Sequence, residues 1–206
     1  MKVTSLKKYK GSTFEAELDH ERKIYLHADI IVDFGLREDD EIDRERLREI
    51  IRASNFRRAY QRALYLLDYR DYSREEMYKK LLDNYKSESL CAAVADKLEE
   101  NGIIDDERYA EKLAVRYVSG RKFGYRRALR EMHMKGIGQH TAVDALEEHS
   151  EEFEENLIHL LETKHSRRLT DPDDRREIEK VKAALVRYGY SFDEINRCIK
   201  EYFLEV

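Results

Sequence analysis

Twenty residues from Arg116 to Lys135, RYVSGRKFGYRRALREMHMK, hold seven basic side chains and a single acidic one, Glu131. The basic residues are Arg116, Arg121, Lys122, Arg126, Arg127, Arg130 and Lys135. The 206-residue chain as a whole is formally −5 at pH 7. A local excess of positive charge in an acidic protein attracts phosphate or acidic protein surface, with a strength that falls steeply with salt. Five of the seven are Arg, whose planar guanidinium suits bidentate contact with phosphate or carboxylate. Tyr117, Phe123 and Tyr125 are interleaved with them. They either stack on bases or form core behind a solvated basic face.

A second basic group, Arg57, Arg58, Arg62, Arg70 and Arg74, is offset by Asp68, Asp71, Glu75 and Glu76, so pairing within the chain accounts for most of it. Residues 144–155 have the opposite sign, with Asp144, Glu147, Glu148, Glu151, Glu152, Glu154 and Glu155 and no Lys or Arg. That run repels DNA. It reads as a solvated face, or as a surface for a basic partner.

Reaction chemistry finds little support. The phosphate-cradling patterns G-x-x-x-x-G-K-[ST] and G-x-G-x-x-G are missing. His133 and His140 are seven apart across a glycine break, a poor metal spacing. Glu162 and His165 form one E-x-x-H, where a di-iron bundle uses two copies and further glutamates. Cys91 and Cys198 sit in helical patterns and read as small buried hydrophobes. No nucleophile, base and orienter stand together. The expectation is a protein that is not an enzyme and has no cofactor or metal.

The elements that position the basic stretch are mostly helical. Charged residues make up 40% of the chain, and it has only 8 Gly and 1 Pro, so few helix breakers interrupt a strongly solvated surface. No apolar run approaches the ~20 residues that cross a bilayer. No apolar segment of signal-peptide length opens the chain, so a cytoplasmic protein is expected. Residues 1 to about 42 differ from the rest. VTSLKKY, TFEAEL and KIYLHADIIV alternate apolar and polar residues between turn-forming Lys10-Gly11-Ser12 and Asp19-His20-Glu21, which predicts a small β-hairpin or three-strand unit.

From Asp43 onward the period becomes helical and the sequence repeats. An offset of 53 matches Ala128 with Val181, Met132 with Leu185, Gly136 with Gly189, Ile137 with Tyr190, Ala142 with Ile195 and Leu146 with Ile199. An offset of 51 matches Ser73 with Gly124, Met77 with Ala128 and Leu81 with Met132. Three units of about fifty residues follow, each long enough for three helices. The predicted helices lie near 56–70, 73–84 and 87–101, then 106–119, 124–135 and 139–149, then 151–165, 173–188 and 192–204. Ser73 and Glu76 form a capping box, and Pro172 is placed just before the helix at 173. On the helix at 124–135, Ala128, Leu129 and Met132 make an apolar stripe and leave Arg126, Arg127 and Arg130 toward solvent. The predicted organisation is a β unit with a linking helix at 1–55 and three-helix repeats at 56–105, 106–150 and 151–206. Such a chain is mainly α, elongated and curved.

Two stretches, RALYLLDYRDYSREEMYKKLL at 62–82 and IIDDERYAEKLAVRYVSGRKFGYRRALREMHMKGI at 103–137, resemble the RecX family, regulators of the bacterial RecA recombinase. The matching residues are Ala63, Leu64, Leu67, Arg70, Ser73 and Glu76, then Asp105, Asp106, Tyr109, Ala110, Lys122, Phe123, Gly124, Gly136 and Ile137. The resemblance covers most of the chain and implies three three-helix repeats in a curved, non-enzymatic molecule. It also implies binding along the groove of the RecA–single-stranded DNA filament, with suppression of ATP hydrolysis and strand exchange, as a monomer. On that reading the filament or DNA meets Arg116, Arg121, Lys122, Arg126, Arg127, Arg130 and Lys135, with Arg70 and Arg74. The acidic net charge departs from the basic character of the family and predicts weak, salt-sensitive binding to free single-stranded DNA. Two other readings fit helix triplets: a helix-turn-helix-like DNA-binding regulator, and a helical scaffold for another protein. The first is disfavoured by a mostly Arg patch without the Asn or Gln that reads adenine.

Overall fold

The structure is a computed structural model and describes residues 1–205. Strands β1 (Val3–Lys10), β2 (Thr13–Leu18) and β3 (Arg22–His27) form an antiparallel sheet in the order β1-β2-β3. The turns fall at Gly11 and at Asp19-His20, all three with positive φ. Alternation along the strands puts Val3, Ala16, Leu18 and Leu26 on the covered face. Leu36, Ile42, Leu47 and Ile50 close the same core.

The third strand is shorter than its apolar pattern predicts. It ends at His27, and Ala28–Asp33 forms the short helix α1. His27 Nδ1 accepts from Asp29 N at 3.2 Å, and Asp29 is held by Arg57 Nη2 at 2.6 Å. This polar cap overrides the β-branched run Ile30-Ile31-Val32, of which only Ile30 is buried. The helix expected near 56 is the second half of the 24-residue α2 (Arg44–Leu67), whose N-cap is Asp43. No Gly or Pro interrupts it.

The remaining helices are α3 (Arg74–Tyr85), α4 (Glu88–Glu100), α5 (Asp106–Val115), α6 (Tyr125–Met134), α7 (Gln139–Glu147), α8 (Glu152–Leu160), α9 (Arg175–Tyr188) and α10 (Phe192–Glu205). They match the expected positions closely. A π-helical turn at Arg116–Gly120 continues α5, and another at Leu161–His165 continues α8. Pro172 precedes α9, as its position suggested, though the helix starts two residues later than 173. Asp174 is the N-cap, accepting from the N–H groups of Arg176 and Glu177 at 3.1 Å, and Pro172 stands two residues earlier.

Two compact units divide the chain. One comprises residues 1–70 and 80–94; the other comprises residues 71–79 and those from 95 onward. The second unit holds the basic stretch and includes two buried clusters that matter for it. One gathers Leu113, Ala128, Met132, Ala142 and Leu146, and the other gathers Val181, Leu185, Ile195 and Ile199. Every pair matched by the 53-residue offset, apart from the glycines, is buried on both sides.

Candidate functional site

Within the second unit the repeat builds the same joint twice. At the first, Ser73 precedes α3 and meets Gly136, which follows α6. A Cβ on Gly136 would come within 2.6 Å of Ser73 Oγ. Ser73 Oγ accepts from Glu76 N at 3.0 Å, the predicted cap, and donates to Lys135 O at 2.6 Å. At the second, Gly124 precedes α6 and meets Gly189, which ends α9. A Cβ on Gly124 would lie 2.6 Å from Gly189 C, and one on Gly189 would lie 2.4 Å from Arg127 Cβ. Here Gly124 N donates to Tyr188 O at 2.9 Å. Gly136 and Gly189 have φ of +78° and +103°, the left-handed helix stop that glycine adopts at least cost. Each joint sets the N-terminus of one helix against the C-terminus of another, so opposite ends of two helix dipoles meet.

The second joint forms a groove of about 500 Å³. Arg126, Arg127 and Arg130 line it from α6 and Arg187 from the end of α9, over a floor of Gly189 and Tyr190. Tyr190 is buried and donates through Oη to Lys122 O at 3.1 Å, and burial raises its phenol pKa. Arg126, Arg130 and Arg187 are exposed and make no ion pair among the described residues. Arg127 behaves differently from its expected place on the solvated face. It is half-buried, lies 3.9 Å from the Phe123 ring centroid, donates through Nη1 to Arg187 O at 3.0 Å, and has Glu131 at 3.6 Å. Its guanidinium thereby neutralises the C-terminal carbonyls of α9.

The other predicted residues separate. Arg116 and Arg121 are exposed, and Arg121 leans on the Phe123 ring at 5.8 Å. Lys122 is half-buried and occupies a positive-φ turn. Lys135, at the far end of α6, pairs with Glu76 at 3.5 Å. Arg74 is tied to Asp96, with Nε at 2.9 Å, and to Glu99 at 3.5 Å. Arg70 is exposed and belongs to the first unit. The interleaved aromatics are core: Tyr117 and Phe123 are buried and stacked, and Tyr125 packs edge-on against Phe153. Tyr117 and Phe123 have no face for a base, and Tyr125 is half-buried.

The acidic run is partly paired. Glu152 accepts from Ser119 Oγ at 2.7 Å and faces His149 Nδ1 at 2.6 Å, and these contacts, His149 first, hold its carboxyl below the usual range. Glu154 takes Arg197 at 3.2 Å and Asp144 takes His140 at 2.6 Å. Asp144 and Glu148 line an acidic groove with Glu107 and Glu111 of α5. Among the described residues no His, Cys, Asp or Glu group is arranged to hold a metal ion.

The motif residues are joints rather than contacts. Asp105 caps α5 through Arg108 N, while Asp106 accepts from Arg74 N at 2.9 Å, half-buried with its pKa raised by that burial. Tyr109, Ala110 and Ile137 are buried. Two family models locate the same architecture in sequence. The model for the first three-helix domain of RecX matches residues 59–103, and that for the third matches residues 150–199. Over these two segments the chain is similar to the RecX family. Regulatory protein RecX of Clostridioides difficile is 25% identical over 179 residues, covering 86% of this chain and 84% of the relative. That of Staphylococcus carnosus is 27% identical over 201 residues, covering 97% and 75%. A crystal structure of a regulatory protein RecX superposes with a TM-score of 0.76 at 24% identity, covering 97% of this chain and 98% of the other, a likeness of fold. RecX from Lactobacillus salivarius superposes at 0.66 and 27% identity over 74% and 99%.

Proposed function

We propose that this RecX-like chain is a non-enzymatic regulator that binds the groove of the RecA–single-stranded DNA filament. Bound there, it lowers ATP hydrolysis and strand exchange, and so modulates recombination and DNA repair. The observation that carries the reading is the groove at Gly124 and Gly189, where the exposed Arg126, Arg130 and Arg187 have no carboxylate partner among the described residues and stand beside a structurally occupied Arg127. Arg116 and Arg121 extend the same positive field. Free guanidiniums held on rigid helix ends suit phosphate or carboxylate on a repeating polymer. Arg74 and Lys135 already have carboxylates and contribute to the fold instead. Three helix triplets, at 56–105, 106–150 and 151–206, are the units of the reading. Among the described residues no helix is long and apolar enough to cross a membrane. On this reading the protein works in the cytoplasm as a monomer.

The test is single-stranded-DNA-dependent ATP hydrolysis by the RecA of the source organism, with this protein titrated in. Inhibition at or below one protein per RecA is expected. Unchanged hydrolysis at every ratio, with RecA active, sinks the proposal.

A further inference from the structure

With Tyr117 and Phe123 buried and Tyr125 half-buried, the chain's exposed aromatics lie elsewhere. In the first unit, Tyr65 on α2 is 50% exposed and Tyr69, in the turn after it, is 70% exposed. Their spacing of four puts both on one stripe, and Arg58 and Arg62 continue that stripe one and two turns earlier. The two rings are 5.0 Å apart in a T-shape, and Tyr69 Oη donates to Tyr65 Oη at 2.8 Å. Arg62 lies 5.1 Å from the Tyr65 ring centroid. Arg58 bonds only to the neutral Asn55 amide oxygen at 2.6 Å. Neither arginine has a carboxylate partner among the described residues. From Asn55 to Arg70 the sequence has four Arg and one acidic residue, Asp68.

We propose that Tyr65, Tyr69 and Arg62 form a stacking platform for the bases of single-stranded DNA. The rings are exposed yet already oriented by their hydroxyl bond and by the cation, so little side-chain freedom is lost when a base arrives. Arg62 covers Tyr65, which leaves Tyr69 as the ring that receives a base. Arg58 and Arg62 supply positive charge for the adjoining phosphates. Aromatic rings beside cations on an open face are the usual means of holding single strands without reading sequence. A second exposed pair, Tyr9 and Tyr25, with centroids 4.9 Å apart, lacks this complementarity. Glu15 accepts from Tyr25 Oη at 3.0 Å there and puts a carboxylate where a phosphate would pass.

The platform rests on the reading that this protein meets single-stranded DNA, so its test uses the full chain first without RecA and then in the RecA hydrolysis assay. The probe is an oligodeoxythymidine carrying one 2-aminopurine, titrated at several salt concentrations. The wild type should quench the 2-aminopurine as the base stacks. Tyr69→Ala should weaken binding by about 5- to 150-fold, with Tyr65→Ala weaker in effect. Tyr69→Phe should bind within about threefold of wild type, because the ring is kept. The salt slope should stay the same in all three, since no phosphate contact is removed. Wild-type affinity and quenching in the Tyr65→Ala/Tyr69→Ala variant, with helix content intact by circular dichroism, would overturn the platform. So would normal oligonucleotide binding by that variant together with lost inhibition of RecA, which would make the stripe a protein-docking face. Loss of oligonucleotide binding with RecA inhibition retained would uphold the platform and count only against its role on the filament.

Discussion

The two joints of the second unit share a backbone and differ in charge. At the Ser73–Gly136 joint, the residues two and three after the capping position are Glu75 and Glu76, and at the Gly124–Gly189 joint they are Arg126 and Arg127. Glu76 takes Lys135 across the first joint, and Glu75 takes Lys79 at 3.0 Å along α3, so that surface is internally balanced. Across the second joint Arg127 reaches backbone carbonyl, Arg187 joins it, and three guanidiniums are left over. One packing solution therefore serves both places, and among the described residues only the second carries unneutralised charge. The glycines and caps answer to the fold, and the exposed arginines are the ones proposed to meet a partner.

The sharpest way to break the equivalence is to fill a joint. Gly189→Ala forces a left-handed φ on a side chain and drives its Cβ into Arg127, costing roughly 2–5 kcal/mol in urea unfolding. Gly136→Ala should cost a similar amount, and less when combined with Ser73→Ala, because the Ser73 hydroxyl is what the new Cβ meets. Additive costs in that pair would show that the first joint is not closed by Ser73.

The next effect separates the arginines. Arg127→Ala should lose about 1–2 kcal/mol of stability with its carbonyl bond and its place over Phe123. Arg126→Ala and Arg130→Ala should stay within about 0.5 kcal/mol. Equal stability in all three would remove the distinction between a structural and a free arginine.

The smallest effects are in pH. Glu152 has a depressed folded-state pKa, so its contribution is present above the unfolded value of about 4.3 and is lost as pH falls through the folded one. Its half-exposed position keeps this under about 1 kcal/mol. Glu152→Gln should flatten the acid limb of a stability–pH curve below about pH 4.5. His165 is also depressed, by burial first and then by Arg168 and Lys164. Its neutral form is the folded one, so stability should begin to fall as pH drops below about 6.5. His165→Gln should remove that step, and an unchanged curve would mean the imidazole is solvated.

Much of this comparison is written locally in the chain. Ser73, Gly124, Gly136 and Gly189 mark helix ends by residue type, and their offsets of 51 and 53 residues expose the repeat. The partnership between joints is not local. Arg187 stands alone in AALVRYGY and enters the groove only because Gly189 stacks on Gly124. The 53-residue offset contains that signal, since it sets Gly189 where Gly136 closes the first joint. Exposure is equally hidden: spacing to Arg left the aromatics of the basic stretch open between base stacking and core, and packing puts Tyr117 and Phe123 in the core. In α1 a three-residue β-branched run outweighed a two-residue polar cap in the pattern, and the cap won in the fold.

The most direct measurement is filament binding by Arg126→Glu/Arg130→Glu, made side by side with its urea midpoint. Lost binding at an unchanged midpoint is the predicted result. Filament binding equal to wild type would contradict the assignment of the groove at the second joint to the partner.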